Sequence, residues 1–358
     1  MKNDTQPHLP GRLGHPDRRL NTDDRADPRM VAALAPFALD GRPAPVPLTR
    51  ESPLEAKRAL ADQMESDFEG LFDTLFQGLP PLDQVSRTTE TVAGGDGQSM
   101  PLYIHRPAEA GAPRPCILHI HGGGMTILSA DGSAYRRWRD ELAAQGMIVV
   151  GVDYRNAAGK LGPHPFPAGL EDCVAALDWV HTNRQQLGIS TVVVSGESGG
   201  GNLSLATALK AKEAGNLGQI AGVYALCPYI SGLYAVKDPS LVSLYENDEY
   251  FLACHMMGVL ASLYDPEDTN ANNPLCWPYF ASVEDLEGLP PTVISVNELD
   301  PLRDEGLACF RKLLQAGVPA VGRTVNGTCH AGDVLFREAM PDVYAATVRD
   351  ITAFATSL

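Results

Sequence analysis

The chain has 358 residues, is 44% hydrophobic and carries a net charge of −16. That length suits one large α/β domain or two ordinary ones, and so acidic a body repels nucleic acid and anionic membrane surfaces. No run of about 18 apolar residues marks a membrane-crossing helix, and the opening MKNDTQPHLPGRLGHPDRR has no apolar secretory core.

Residues 1–27 are polar and rich in mixed charge, which predicts a mobile tail. Residues 28–84 read as an N-terminal helical cap segment. Within it, Ser52-Pro53-Leu54-Glu55 predicts a capping box, and Leu60, Met64, Phe68, Leu71, Phe72, Leu75 and Phe76 recur at helical spacing behind it. That helix either packs on a body or covers a site.

From residue 85 the pattern changes. SRTTETVA and SMPLYIHRP predict two strands joined by GGDG. Strand and helix then alternate: CILHIH, SAYRRWRDELAAQ, MIVVGVDYR, AGLEDCVAALDWVHTNRQQ, TVVVSGE, GNLSLATALKAKEAG and IAGVYALCPYI. After an interruption come PTVISVNE, LRDEGLACFRKLLQAG, AVGRTVNG and YAATVRDITAFATS. Such alternation predicts an α/β fold with a mostly parallel sheet covered by helices on both faces, spanning 85–358. The interruption, about 229–285, holds nine of the 24 aromatic residues. An insertion between core strands falls at the carboxyl edge of the sheet, where ligands bind, so it predicts a cap. Most of its aromatics should form its own core, and a few should face ligand.

The seven cysteines (Cys116, Cys173, Cys227, Cys254, Cys276, Cys309 and Cys329) are odd in number, widely spaced and without C-x-x-C. They predict free buried thiols in a reducing cytoplasm, with no disulfide framework or zinc site.

The chemistry centres on VVVSGESGGGNLSLATAL, Val192–Leu209. A dinucleotide fingerprint needs a second glycine where Ser198 stands, and a phosphate loop needs a lysine where Asn202 stands. The stretch does fit G-x-S-x-G between a strand and a helix, the setting of a nucleophilic serine on a strained turn. His121-Gly122-Gly123-Gly124 ends an earlier strand, and its amides can turn toward a developing oxyanion. A tight strand-to-helix turn is the alternative for that glycine run by itself. A serine nucleophile needs a base and an orienting acid. After Ser198 only His255 and His330 remain. His255 lies inside the interruption, whereas His330 follows the last strand. Asp300 ends the strand VISVNELD and leads Asp304, Glu305 and Glu298 as the acid.

HGGG at 121–124, GESGGGN at 196–202, DPLRDEG at 300–306 and HPFPAGLEDC at 164–173 resemble the hormone-sensitive-lipase-like family of α/β-hydrolases, the bacterial family IV esterases. The resemblance implies Ser198 as nucleophile, Asp300 as orienting acid and His330 as base. It implies oxyanion donors at Gly123, Gly124 and Gly199, with His121 supporting that loop. Met125, Tyr229, Glu197 and Ala331 are the expected substrate-binding residues. The expected reaction is hydrolysis of small, short-acyl carboxylic esters through an acyl-enzyme, with no metal or cofactor required. An amidase or lactonase on the same triad is the alternative, and a non-catalytic ligand-binding protein of this fold is the other. The expected partner is a small-molecule ester rather than nucleic acid or membrane, and a homodimer is left open. The sequence departs from the family at Glu197 (usually Asp), Gly199 (usually Ala) and His330-Ala331-Gly332 (usually His-Gly-Phe).

Overall fold

The computed structural model describes residues 9–43, 46–109 and 111–358. Eight strands form one sheet: Val85–Ala93 (β1), Ser99–Pro107 (β2), Arg114–Ile120 (β3), Ile148–Val152 (β4), Ile189–Glu197 (β5), Gly222–Leu226 (β6), Thr292–Asn297 (β7) and Ala320–Val325 (β8). Their order is β1-β2-β4-β3-β5-β6-β7-β8. β1 and β2 form an antiparallel hairpin, β2 pairs antiparallel with β4, and the remaining pairings are parallel. The central strands are apolar along their whole length because helices cover both faces: Val149, Val150, Val193, Val194, Val223 and Ile294 are fully buried.

The longer helices are Pro28–Leu34 (α1), Leu54–Phe76 (α2), Ser133–Ala144 (α3), Ala168–Leu187 (α4), Gly199–Glu213 (α5), Cys254–Tyr264 (α6), Arg303–Gln315 (α7) and Pro341–Thr356 (α8). β3 lies between β4 and β5, so the chain winds away from it in both directions. This is the switch point at whose carboxyl edge open α/β sheets bind ligands. Ile120 at the end of β3 sits beside Gly196 near the end of β5. The HGGG turn and the serine turn are neighbours for that reason.

The interruption after β6 carries α6 and several short turns, and it lies over this edge with α2 against α6. Most of its aromatics pack on one another, with Tyr264 edge-on to Trp277 at 5.5 Å and Tyr279 edge-on to Phe280 at 5.3 Å.

Two expectations need correction. The Ser52 hydroxyl does not cap α2: it accepts the Thr49 amide at 3.0 Å, and Pro53 holds the cap position without a side-chain bond. The segment read as a mobile tail is packed over its described part, residues 9–27; residues 1–8 lie outside the described residues. Leu20 is fully buried, Tyr250 donates to Asp23 at 2.9 Å, Arg25 pairs with Glu246, and Arg12 pairs with Glu249. Local composition could not reveal this, because the acids that bind these arginines come from the interruption more than 200 residues away.

Candidate active site

The serine turn is held by backbone on all sides. Ser198 adopts φ 58° and ψ −119°, a conformation that costs a non-glycine residue. Its amide donates to Leu226 O at 2.9 Å, and its carbonyl accepts from Asn202 and Tyr229 amides at 3.1 Å each. The turn presses so closely on β3 that a Cβ on Gly200 would stand 1.9 Å from Ile120 O. Only glycine fits there. Behind the serine, α5 presents its N-terminus and the positive end of its dipole.

The HGGG turn faces it from the end of β3. Gly123 has φ 102°, open to glycine but strained for other residues. The amides of Gly123, Gly124 and Gly199 meet no acceptor among the described residues. The Gly122 amide is different: it donates to Glu197 Oε1 at 2.6 Å. Glu197 Oε2 lies 3.0 Å from His119 Nε2, and His119 is fully buried. His121 holds Gly122 O through Nδ1 at 2.8 Å and stacks on Tyr154 at 4.2 Å. Burial pushes its imidazole down to about 3, so it is a neutral support for the loop.

His330 follows β8, and its Nδ1 lies 2.7 Å from Asp300 Oδ2. The other oxygen, Asp300 Oδ1, accepts the Leu302 amide at 2.9 Å. Asn247 Nδ2 holds the Asp300 carbonyl at 3.1 Å, and Asn297 Oδ1 accepts the Ala331 amide at 3.1 Å. Cys227 lies against this pair, its donor atom and theirs all within 4.8 Å of one another; burial holds the thiol well above its ordinary range and so protonated.

Ser198 and His330 line one cavity with the HGGG turn. It encloses about 970 Å³ of non-protein space, part of it open to solvent. Met64, Phe68 and Phe72 of α2 form one wall, Met257 and Leu260 of α6 another, and Tyr135 and Trp138 of α3 a third. Among the described residues no lysine, arginine or aspartate lines it, and the one carboxylate there, Glu197, is already occupied. The site is therefore shaped for an apolar, uncharged ligand.

The structure sorts the expected residues. Ser198, His330, Gly123, Gly124, Tyr229 and Ala331 line the cavity, and Asp300 is fully buried behind His330. The Tyr229 hydroxyl is spent on Met257 O at 2.6 Å, so the residue offers its ring. Glu197 reaches the cavity wall, but its carboxylate holds the protein and not a ligand. Met125 does not line the cavity: its side chain is buried in the core, and its carbonyl accepts the Ala157 amide. The HGGG turn continues through it with φ 57°.

The rivals have other tasks. His255 sits on α6 and does not line the cavity, Asp304 holds the Ser243 amide, and Glu298 holds the Gly327 amide. Glu305 is fully enclosed by Ile230, Ser231 and Tyr234. Sequence reasoning missed His119, Asn247 and Asn297. Only His119 left a signal, as a polar residue inside the apolar strand CILHIH.

The profile of the alpha/beta hydrolase fold family matches residues 117–333. A carboxylesterase, NlhH of Mycobacterium tuberculosis, is 32% identical over 319 residues, 88% of this chain and 92% of its own. Among solved structures, a brefeldin A esterase described as a bacterial homologue of human hormone-sensitive lipase superposes with a TM-score of 0.94. It is 47% identical, over 97% of this chain and 98% of its own. Esterase Est22 superposes with a TM-score of 0.84 at 36% identity, over 95% of this chain and 99% of its own.

Proposed function

The chain belongs to the α/β-hydrolase family and, within it, to the hormone-sensitive-lipase-like esterases, so it is a carboxylic ester hydrolase; from that premise we propose that it hydrolyses small, uncharged, short-acyl esters through Ser198, His330 and Asp300. The observation that carries this reading is the 2.7 Å contact between His330 Nδ1 and Asp300, with His330 and Ser198 lining one cavity. With Nδ1 committed to Asp300, the other ring nitrogen serves as base.

His330 takes the Ser198 proton as Oγ attacks the ester carbonyl. The Gly123, Gly124 and Gly199 amides receive the oxyanion. His330 then protonates the leaving alkoxide, and water deacylates the enzyme by the reverse route. Asp300 fixes the imidazole tautomer and stabilises the imidazolium. The apolar walls favour neutral esters. Residues 28–84 and about 229–285 act as the cap over residues 85–358. Seven free buried cysteines support a reducing compartment such as the cytoplasm, and the open edge strand β8 leaves room for a homodimer.

A lactone is the second reading, favoured by the likeness to a brefeldin A esterase and by the roomy apolar cavity. A panel of aryl esters of rising acyl length, with a macrocyclic lactone beside them, separates the two. Ser198→Ala should lower turnover by about 10⁴–10⁶-fold and abolish labelling by a fluorophosphonate. Wild-type turnover in that variant would overturn the proposal.

A further inference from the structure

The α3 wall of the cavity carries two groups, a phenol and an indole N–H, that donate no hydrogen bond among the described residues. Tyr135 and Trp138 lie three residues apart, on one face of that helix. Both line the cavity and both are more than nine-tenths buried, at 6% and 3% exposure. The Tyr135 ring is fixed by Phe72 at 6.0 Å, His121 at 5.4 Å and His119 at 6.1 Å. The Trp138 ring is fixed edge-on to Tyr344 at 5.2 Å. Neither the Tyr135 hydroxyl nor the Trp138 indole N–H donates a hydrogen bond among the described residues, although the Gly122 amide stands against the phenol oxygen. Buried tyrosine and tryptophan usually find a partner.

The place of the hydroxyl is informative. A Cβ on Gly122 would stand 3.3 Å from Tyr135 Oη and 3.4 Å from Glu197 Oε1. The phenol therefore stands beside the HGGG turn, in the cavity that Ser198 and His330 also line. Its neighbour Glu197 is already committed to Gly122 and His119. Tyr229, the other phenol in the wall, has its hydroxyl satisfied by Met257 O. Burial and the Glu197 charge, against the Gly122 amide, hold the Tyr135 phenol well above its ordinary range, so it keeps its proton.

We propose that Tyr135, seconded by Trp138, is a specificity-determining donor that selects esters bearing an acceptor oxygen (ether, keto or second carbonyl) near the scissile bond. This rests on the esterase reading above and deepens it. A purely alkyl ester leaves the buried donors unpaired in the bound complex, whereas an oxygenated one satisfies them. The donors take no part in the chemical step.

The test uses two pairs of esters matched in size. One varies the acyl side, methoxypropanoyl against pentanoyl on p-nitrophenol. The other varies the alcohol side, methoxyethyl against butyl acetate. Each kcat/KM is divided by the hydroxide-catalysed rate, which removes intrinsic reactivity. Wild type should favour the oxygenated member of at least one pair by about 3- to 10-fold, and Tyr135→Phe should erase that preference by lowering the oxygenated member more than the alkyl one. Trp138→Phe should reduce it in part, and it stands in should Tyr135→Phe not fold. Equal rates within both pairs for wild type would overturn the proposal. So would a preference that survives both variants, or an equal loss on both members in Tyr135→Phe. Failure of the esterase reading looks different: wild type would then match Ser198→Ala on every ester.

Discussion

Glu197 Oε1 accepts the Gly122 amide at 2.6 Å while Glu197 Oε2 meets His119, so one carboxylate ties the serine turn to the HGGG turn. The residue next to Ser198 thereby sets the position of the loop across from it. Glu197→Asp is one methylene shorter and cannot hold both partners. Losing a charge-assisted hydrogen bond of about 1.5–3 kcal/mol predicts a roughly 10- to 100-fold fall in kcat/KM, carried by kcat. Steady-state kinetics on a short activated ester checks this. A change confined to KM would instead return Glu197 to the substrate-binding role.

Gly199→Ala tests the closeness of the same two turns. The added Cβ would stand 2.6 Å from Met125 N and 2.8 Å from Gly124 N, which are backbone atoms and cannot swing aside. The HGGG turn must shift, and displacing one oxyanion donor costs about 10²–10³-fold in kcat. The melting temperature should move far less than the rate.

Asp300→Asn keeps the shape of the side chain but changes which nitrogen of His330 carries the proton. A drop of about 10⁴-fold in kcat is expected, by analogy with the same change in the serine protease triad. Active-site titration with a slow ester should show that the folded fraction is unchanged.

Glu305 predicts a pH dependence of stability. Burial raises its carboxyl from 4.5 to about 8, against the hydrogen bonds from Ser231, Ile230 and Tyr234. Between those two values the folded chain holds a proton that the unfolded chain has released. Folding stability therefore falls across that window as pH rises. Glu305→Gln removes this slope. Melting curves at about pH 5 and about pH 8 should show the variant gaining on wild type at the higher pH. A constant difference would remove Glu305 as the source.

Arg25→Ala tests the packed N-terminal segment. Asp23 and Glu246, both buried, lose a shared cation, although Arg303 still holds Glu246 at 2.9 Å. A loss of about 1–3 kcal/mol follows, read as a lower denaturation midpoint. An unchanged midpoint would mean that the segment adds nothing to the fold.

The sequence by itself determined the sheet, the serine turn and the placing of Asp300 and His330 at the ends of strands. These rest on local signals: apolar period, glycines flanking a serine, and acid and histidine each placed just after a strand. Partners chosen across the fold left no such trace. The CILHIH strand hinted at His119, but only the pairing of β3 with β5 sets it against Glu197. Met125 and Glu197 stand next to Gly124 and Ser198 in sequence, yet the turns that expose those two send one into the core and the other across to Gly122. The arginines near the start looked like a solvated tail, because Glu246 and Glu249, which pair with Arg25 and Arg12, lie more than 200 residues away. Side-chain direction and long-range pairing are properties of the packed chain, and there only the tertiary structure decided.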